Sequence, residues 1–564
     1  MHRRDFIKYL SLALASCSAG KVSSKEDLYD QPAYGNMRLI HICDTHAQLQ
    51  PVYFREPSDN IGIYESVGKP PHLVGKHFLD YFGMKENSAL AHALTFLNYE
   101  EEARRFGKMG GFAHIATLVK KFRAEAKNSL LTDAGDNWHG SATSLMTKGE
   151  DMVKASLLLG IDAMTGHWEF TLGQERVREL VDSLKGKIHF LAQNVVTADF
   201  EEPVFESHTV REYDGFKVAI IGEAFPFTPI SNPRYMIPDW SFGVRDKNLK
   251  ATVAKVRAEG AGVVVLLSHC GTQLDVSLAA DIEGIDVILG GHTHDAIPRA
   301  LEVKNPSNGK TLVINCGSNG KFVGLCDLDI KNNKLAGYKF NLVPVFSNMI
   351  KPDKEMAQLI EDVRAPYRSQ LESIVGKTEQ LLYRRGNFSG TMDQLILDAL
   401  MQEKDAEIAF SPGFRWGTSV LSGENITYDD LMNNVGMTYP NSTLTEMTGK
   451  FIKEVLEDIT DNLFHPDPLY RQGGDMVRVG GLEFSVNVLG ETGKRISDMR
   501  LGGKPLDAAK TYKVAGWASV QENAGDIPIQ DIVSSYLKST GTVKNLKINR
   551  PKVLGVDNNP GMEG

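Results

Sequence analysis

Aspartate and histidine residues follow four apolar segments in the first half of the chain. The segments span 38–43, 129–132, 262–268 and 285–289, and the residues that follow them are Asp44, His46, Asp136, His269, His292 and His294. Asp44 and His46 share one face if the chain is extended, because alternate side chains of a strand point the same way. Carboxylate and imidazole ligands together suit Mn, Fe or Zn better than Mg alone. The pattern therefore predicts a metal site with enough ligands for two ions.

The segments that lead into these residues are rich in Val, Ile and Leu. Further apolar segments at 187–192 and 217–221, and helical patterns at 112–127, 151–159 and 249–259, alternate with them. This alternation predicts a layered α/β domain whose sheet is covered on both faces. Ligands bind at the carboxyl ends of the strands in such sheets. We therefore expect the metal-binding side chains to meet at one sheet edge.

Composition excludes several classes of protein. The 564 residues are 42% hydrophobic and 24% charged, which is ordinary for a folded protein. The formal charge of −9 argues against a general nucleic-acid binder, because phosphate backbones require an excess of Lys and Arg. Five scattered cysteines are too few for a disulfide framework, and we expect Cys43, Cys270, Cys316 and Cys326 to be core thiols. We also expect a monomer.

The N-terminus has the features of an export signal. Arg3 and Arg4 precede a short apolar stretch, in the manner of a twin-arginine signal. The sequence Leu-Ala-Ser before Cys17 resembles a lipobox, in which the cysteine becomes the lipidated first residue. The alternative interpretation is that the N-terminus forms an apolar helix in which the two arginines are incidental. We expect an exported, periplasmic protein that is soluble apart from a lipid anchor at Cys17.

Composition also suggests how the chain is divided. We predict a signal at 1–16, a linker at 17–36, a large α/β domain at 37–345, a linker helix at 346–375, a smaller α/β domain at 376–556 and a frayed tail at 557–564. Residues 48–110 form a long insertion that contains prolines, the kind of segment that shapes the mouth of an active site.

Taken together, the motifs resemble those of calcineurin-type metallophosphoesterases of the 5′-nucleotidase superfamily. They are Asp44-Thr45-His46, Gly135-Asp136, Gly166-His167-Trp168-Glu169, His269 and Gly290-Gly291-His292-Thr293-His294. The resemblance implies a four-layer sandwich domain followed by a smaller C-terminal α/β domain of the 5′-nucleotidase type. It also implies that one ion is held by Asp44, His46 and His294, that the second is held by His269 and His292, and that Asp136 bridges them. A water between two cations becomes a hydroxide nucleophile near neutral pH.

Two departures from the superfamily pattern point to one family within it. Ordinary members have Gly-Asn-His-Glu where this chain has Gly-His-Trp-Glu, so His167 would replace the asparagine as a metal ligand. Trp168 stands where the superfamily has the histidine that assists the leaving group, which indicates either a less basic leaving group or lost catalysis. With the stretches 411–417 and 472–478, these features resemble the thiosulfohydrolase family of the Sox sulfur-oxidation system, SoxB.

That resemblance implies a reaction, a cofactor and a partner. Enzymes of the SoxB family act in the periplasm with two divalent ions, Mn²⁺, and release sulfate from a cysteine S-thiosulfonate. The cysteine lies on the swinging arm of a sulfur-carrier protein pair. Two alternatives stay open, namely a periplasmic 5′-nucleotidase or sugar-nucleotide hydrolase, and a lipid-anchored binding protein with a relic metal site.

Three further residues are candidates for substrate binding. Arg415 would contact the sulfonate or the carrier arm, because a guanidinium matches oxyanions, although an interdomain salt bridge is the alternative. Asp475 is a further candidate, with a solvated loop after the Gly-Gly turn as the alternative. Asn194 follows an apolar segment and would either line the site or satisfy a turn. The other histidines, among them His139, are expected to be structural.

Overall fold

The computed structural model describes residues 28–471 and 474–562. The predicted export signal and Cys17 lie outside the described residues. Within these ranges, none of the helices combines the length and the apolar character needed to span a membrane.

The first domain contains two six-stranded sheets. In spatial order, the first consists of Lys334–Pro344, Phe322–Lys331, Met37–Ile42, Ser129–Asp133, Ala163–Met164 and His189–Phe190. The second consists of Leu301–Lys304, Lys310–Asn315, Val287–Gly290, Val263–Ser268, Phe216–Glu223 and His208–Tyr213. The four strands that end the first sheet run parallel, as do the four central strands of the second. A small ribbon pairs Val196–Thr197 with Trp240–Ser241.

The two sheets pack face to face, and helices cover both outer faces. Leu39 lies between the sheets with Val265 and Leu289, whereas its neighbour Ile40 packs with Phe112 of the outer helical layer. This alternation follows from the two-residue period of a strand. Helices also cover the outer face of the second sheet. The predicted four-layer sandwich and α/β class are confirmed.

The helices of this domain connect the strands. They span Gly75–Phe82, Ala89–Leu94, Tyr99–Phe106, Phe112–Glu125, Ala142–Thr147, Glu150–Leu159, Gln174–Leu184, Thr228–Ser231, Asp246–Ala258 and Thr272–Asp281, with 3₁₀ turns at Tyr64–Ser66, Trp168–Leu172 and Arg234–Met236. Most predicted elements differ from these by a few residues. The segment 187–192 is shorter than predicted, because only His189–Phe190 pairs in the sheet.

The predicted linker helix is interrupted. A helix at Lys354–Arg364 gives way to a 3₁₀ turn at Ala365–Tyr367, a short turn at Arg368–Leu371 and then a strand at Ile374–Thr378. Pro366 accounts for the break, because proline lacks the N–H that would continue the helix. The second domain thus begins with a strand inside the segment predicted to be helical.

The second domain combines three small sheets with helices. The sheets consist, in spatial order, of Asn425–Thr427, Ile374–Thr378 and Thr542–Val543; of Ser442–Thr448, Thr511–Trp517, Ile408–Ser411 and Arg478–Gly480; and of Lys504–Pro505, Ile496–Leu501, Leu482–Asn487 and Lys552–Leu554. The helices span Thr391–Glu403, Tyr428–Val435, Gly449–Leu463 and Ile529–Thr540, with a 3₁₀ turn at Pro468–Tyr470. A further 3₁₀ turn at Ser347–Met349 precedes the linker. The predicted smaller α/β domain is confirmed.

The insertion and the tail lie together, which differs from the predicted frayed end. Asp59 forms a bridge with Met562, the Asn559 side chain donates to the Gly62 carbonyl at 2.8 Å, and the Val74 amide donates to the Pro560 carbonyl. Residues 559–562 are held in place because their polar groups find partners in the insertion. These contacts lie beside the cleft between the two domains.

Candidate metal centre

Seven candidate metal ligands lie at the carboxyl ends of strands and are all buried. They are Asp44 and His46 after Met37–Ile42, Asp136 after Ser129–Asp133, His167 after Ala163–Met164, His269 after Val263–Ser268, and His292 and His294 after Val287–Gly290. Both sheets present this edge to the same place. The fold thus brings together residues that lie far apart in the sequence.

The first group of potential ligands consists of Asp44, His46, Asp136 and His294. Their ligand atoms lie within 4.8 Å of one another. The Nε2 atoms of His46 and His294 are 3.0 Å apart, and His294 Nε2 is 3.3 Å from Asp44 Oδ1. Two imidazole nitrogens and two carboxylates thus surround one point.

The second group consists of Asp136, His167, His269 and His292. His269 Nε2 lies 3.1 Å from Asp136 Oδ2, and His167 Nδ1 lies 3.2 Å from Asp136 Oδ1. Asp136 belongs to both groups, and its Oδ2 also lies 3.7 Å from His46 Nε2 of the first group. This arrangement matches the ligand division that the resemblance implied.

Several polar atoms of the two groups have no hydrogen-bond partner among the described residues. Those that could face an ion are Asp44 Oδ2 and the ring nitrogens of His292. Burial of polar groups without partners is costly, and native proteins rarely tolerate it. A pair of divalent ions would satisfy the inward-facing atoms, and mixed nitrogen and oxygen ligands suit such ions. The residues therefore fit two divalent ions.

The backbone that presents these side chains is strained. Asp44, His46, Asp136, His292 and His294 all have φ between 46° and 73°, a region that non-glycine residues rarely adopt. Gly291 is required for space as well, since a Cβ there would approach Asp44 Oδ2 to 2.9 Å. Such strain clusters at functional sites, where the surrounding structure holds it in place.

Burial sets the charge of most of the imidazoles. It lowers the pKa of His46 to about 3 and the pKa of His292 and His294 well below the ordinary value, so these rings are neutral and ready to bind an ion. Burial also lowers the pKa of His269, but Asp136 outweighs this effect and raises it to about 10. The same pairing outweighs burial at Asp136 and holds its pKa well below the usual range.

Metal uptake at pH 7 should therefore release about one proton per chain. His269 Nδ1 donates to the Ala134 carbonyl at 2.6 Å, so the proton that an ion displaces is the one on Nε2. Because the pKa of His269 is raised, that proton is present at neutral pH, and affinity for the ion should rise with pH until the pKa is passed. Calorimetric titration with Mn²⁺ in two buffers of different ionisation enthalpy measures the proton. Equal heats in both buffers would contradict the expectation.

Glu169 stabilises the loops that carry the metal ligands. Its carboxylate accepts hydrogen bonds from the backbone amides of His167 at 2.7 Å, Asn137 at 2.6 Å, and Asp136 and Trp138 at 3.3 Å each. One buried side chain thus fixes the two loops that carry Asp136 and His167. The sequence contained a signal for this role, because Glu169 closes the Gly-His-Trp-Glu motif.

A pocket of about 620 Å³ opens from the metal centre between the two domains. Its lining includes Asp136, His167, Trp168, His292 and His294 from the first domain and Phe414, Arg415, Trp416 and Asp475 from the second. The Trp168 and Phe414 rings meet edge to face, with centroids 5.2 Å apart, and form one apolar wall. The pocket joins a cationic side chain, an aromatic wall and the metal-ligand groups.

Comparison with known proteins places the chain in a family. The family model of the 5′-nucleotidase C-terminal domain matches residues 374–531. The solved structure of the sulfate thiohydrolase SoxB of Thermus thermophilus is 35% identical, covers 93% of this chain and 98% of its own, and has a TM-score of 0.89. The chain belongs to the SoxB family.

More distant relatives extend this likeness to the 5′-nucleotidase superfamily. A venom 5′-nucleotidase of the snake Gloydius brevicauda is 24% identical over 79% of this chain and 84% of its own length. A 5′-nucleotidase precursor, also from Thermus thermophilus, shares the fold with a TM-score of 0.73 at 21% identity, over 92% of this chain and 99% of its own. The SoxB-family chain is therefore a metal-binding hydrolase built on the 5′-nucleotidase scaffold.

Arg415 lies in the pocket of this SoxB-family chain. Its Nη2 donates to the Gly474 carbonyl at 2.8 Å, and its Nε is 3.5 Å from Asp475 Oδ1 in the same domain. Because both residues belong to the second domain, Arg415 and Asp475 do not form the interdomain salt bridge considered as an alternative. Arg415 Nη1 is buried and has no partner among the described residues, so it is available for an anionic ligand.

Asp475 lines the pocket, but its carboxylate is surrounded by cations. Its buried carboxylate contacts Arg385, Arg415, Arg478 and the Asn387 amide, at distances from 3.0 Å to 3.7 Å. A carboxylate already surrounded by guanidinium groups holds them in place, and it would repel an anionic substrate. Arg385, which no sequence pattern singled out, also donates to the Thr293 carbonyl between His292 and His294.

Asn194 takes the second of the two roles expected from sequence, and His139 packs beside the pocket. The Asn194 side chain makes three hydrogen bonds to the backbone of Ala224 and Gly243, so it stabilises a loop junction and does not line the pocket. His139, expected to be structural, stacks on Trp168 with ring centroids 4.7 Å apart. It lies three residues after Asp136, which was the only local signal of its position.

Proposed function

We propose that this chain hydrolyses a cysteine S-thiosulfonate on a carrier protein and releases sulfate. Water adds to the sulfonate sulfur as the terminal S–S bond breaks, so that R–S–S–SO₃⁻ and H₂O yield R–S–S⁻, SO₄²⁻ and two protons. The observation that carries the proposal is the pocket in which Trp168 and Arg415 adjoin both ligand groups. Family membership supports it, since a relative with 35% identity is a sulfate thiohydrolase.

The protein's own residues divide the work of binding and positioning. Two divalent ions, which we propose to be Mn²⁺, would supply Lewis acidity and an activated water. Arg415 Nη1 donates to a sulfonate oxygen, since a guanidinium fork matches an oxyanion. Asp475 holds that guanidinium in place from the opposite side. Glu169 keeps Asp136 and His167 fixed while substrate enters and product leaves.

Trp168 suits the proposed leaving group. A persulfide is weakly basic, and a general acid helps most when the departing atom is strongly basic. The reaction can therefore proceed where the superfamily's histidine is replaced by tryptophan. The apolar wall of Trp168 and Phe414 packs against sulfur, a soft and polarisable atom. His139 stacks behind the indole and holds its plane.

The nucleotidase alternative fits the pocket less well. Phe414 and Trp416 stack on each other with centroids 5.3 Å apart and planes 14° from parallel. Rings packed in this way leave no gap in which a nucleotide base could insert. We therefore favour the thiosulfonate over a nucleotide as substrate.

A sulfate-release assay tests the proposed function. The Mn²⁺-loaded protein should release sulfate from a carrier peptide bearing Cys–S–S–SO₃⁻ and almost no phosphate from AMP. Arg415→Met should lower kcat/KM by about tenfold to a hundredfold, because a hydrogen bond to a charged group is lost. The exposed variant Arg178→Met is the matched control and should leave the rate unchanged. Brisk AMP hydrolysis without sulfate release would favour the nucleotidase.

We also propose a periplasmic location for the reaction. The paired Arg3 and Arg4 support export of a folded, metal-loaded protein, and Cys17 supports attachment to a lipid. A carrier arm that reaches the interdomain pocket would meet the enzyme there. Fractionation of cells that express the wild type and Cys17→Ala tests the anchor, since the variant should leave the membrane fraction and remain in the periplasm.

A further inference from the structure

One segment of the first domain crosses the metal centre and reaches the second domain. The Phe225 ring lies 4.1 Å from the His292 ring and 4.3 Å from the His167 ring, measured between centroids. A single helical turn follows at Thr228–Ser231, and Met236 then packs against the hydrophobic cluster of the second domain. The segment therefore covers the second group of ligands.

Asn232 ends that helical turn and lines the pocket with the metal-ligand groups. Its backbone amide donates to the Thr228 carbonyl at 3.0 Å. The residue is only 3% exposed, yet neither the amide nitrogen nor the amide oxygen of its side chain has a hydrogen-bond partner among the described residues. The pocket that it lines also contains Asp136 and His167.

An unpartnered buried amide destabilises a folded protein. Its loss of hydration is not compensated, and an apolar side chain of the same shape would be neutral or better. Asn194, in the same domain, shows the ordinary use of such a side chain, with three hydrogen bonds to backbone. A ligand that supplies the missing hydrogen-bond partner would therefore explain why asparagine occupies position 232.

We infer that Asn232 is a substrate-binding residue that donates a hydrogen bond from Nδ2 to an oxygen of the terminal sulfonate. Arg415 Nη1, on the opposite domain, is a second buried donor without a partner among the described residues, and it lines the same pocket. Beside the two proposed ions, these side chains add one cation and one neutral donor, which suits a group that carries a single negative charge. A phosphate monoester, with more charge, would call for more cations.

Asn232→Leu separates a binding role from a structural one. In the Mn²⁺-loaded full-length protein, the variant should lose about tenfold to a hundredfold in kcat/KM for the thiosulfonate peptide, since one hydrogen bond to a charged group is removed. Its melting temperature, with and without metal, should be equal to or above that of the wild type. Asn194→Leu is the matched control and should melt at a lower temperature, because backbone groups lose their partners. Asn232→Asp should lose more activity than Asn232→Leu, since a carboxylate would face the sulfonate.

Two results would overturn the inference. One is a kcat/KM within about twofold of the wild type in Asn232→Leu, and the other is a fall in melting temperature like that of Asn194→Leu. The inference rests on the proposed function, so binding of inorganic sulfate to the Mn²⁺-loaded protein is measured as well. If the wild type releases no sulfate from the peptide, the proposed function fails. The role of Asn232 is then tested by sulfate affinity alone. Asn232→Leu should weaken sulfate binding, and an unchanged affinity would contradict the inference.

Discussion

Asp136→Asn is expected to reduce sulfate release by at least about a thousandfold, because stabilisation by both metal ions is worth several kcal/mol. Asp136 lies in both ligand groups, with its two oxygens 3.1 Å and 3.2 Å from His269 Nε2 and His167 Nδ1. The amide supplies one weak oxygen ligand and no charge. Metal content should fall from about two ions per chain, since neither group keeps its shared carboxylate.

Metal analysis and the sulfate assay on the same preparation test this expectation together. Asp281→Asn is the matched control, because Asp281 is exposed at the end of a helix on the same domain. The control should keep both metal and activity. A variant at 136 that retains two ions per chain and a rate within tenfold of the wild type would contradict the shared role of Asp136.

Glu169→Ala is expected to destabilise the first domain by at least about 4 kcal/mol. The substitution leaves four buried backbone amides without their acceptor, and each unpaired donor costs about 1–3 kcal/mol. Because these amides belong to the loops that carry Asp136 and His167, metal affinity should fall with stability. Urea unfolding with and without Mn²⁺ measures both effects.

Two further variants calibrate this result. Glu169→Gln keeps one acceptor oxygen but turns an NH₂ group toward the amides. Its free energy of unfolding should therefore lie between those of the wild type and the alanine variant. Glu175→Ala removes an exposed carboxylate from the following helix and should change stability by less than about 0.5 kcal/mol. An alanine variant at 169 as stable as that control would show that the four hydrogen bonds contribute nothing.

Together, these expectations describe a centre whose parts depend on one another. Asp136 needs the loop that Glu169 fixes, and Arg415 needs Asp475 to aim it into the pocket. Asn232 needs the helical turn that carries the chain over the metal ligands. Substitutions within this set should not be additive, because the residues share partners.

Local features of the sequence were enough to predict most of the first domain. Buried strands read as runs of Val, Ile and Leu, and helices as amphipathic stretches, because these periods depend only on neighbouring residues. Six of the seven candidate ligands were found in the same way, since they follow apolar runs and the carboxyl ends of parallel strands share an edge. His167 was found only from the resemblance of its motif. Pro366 also indicates the break in the linker helix, although the amphipathic pattern around it predicted one helix.

The hydrogen-bond partners of individual side chains could not be predicted from local sequence. Asn194 and Asn232 both follow structured segments, yet the side chain of Asn194 makes three hydrogen bonds and that of Asn232 makes none within the described residues. Asp475 had the features of a loop residue, but it lies buried among arginines, and the tail packs against an insertion nearly 500 residues earlier in the chain. Residue type and spacing reveal which groups can do chemistry. Whether a given group is free to do so depends on contacts between distant segments, and only the folded chain brings those segments together.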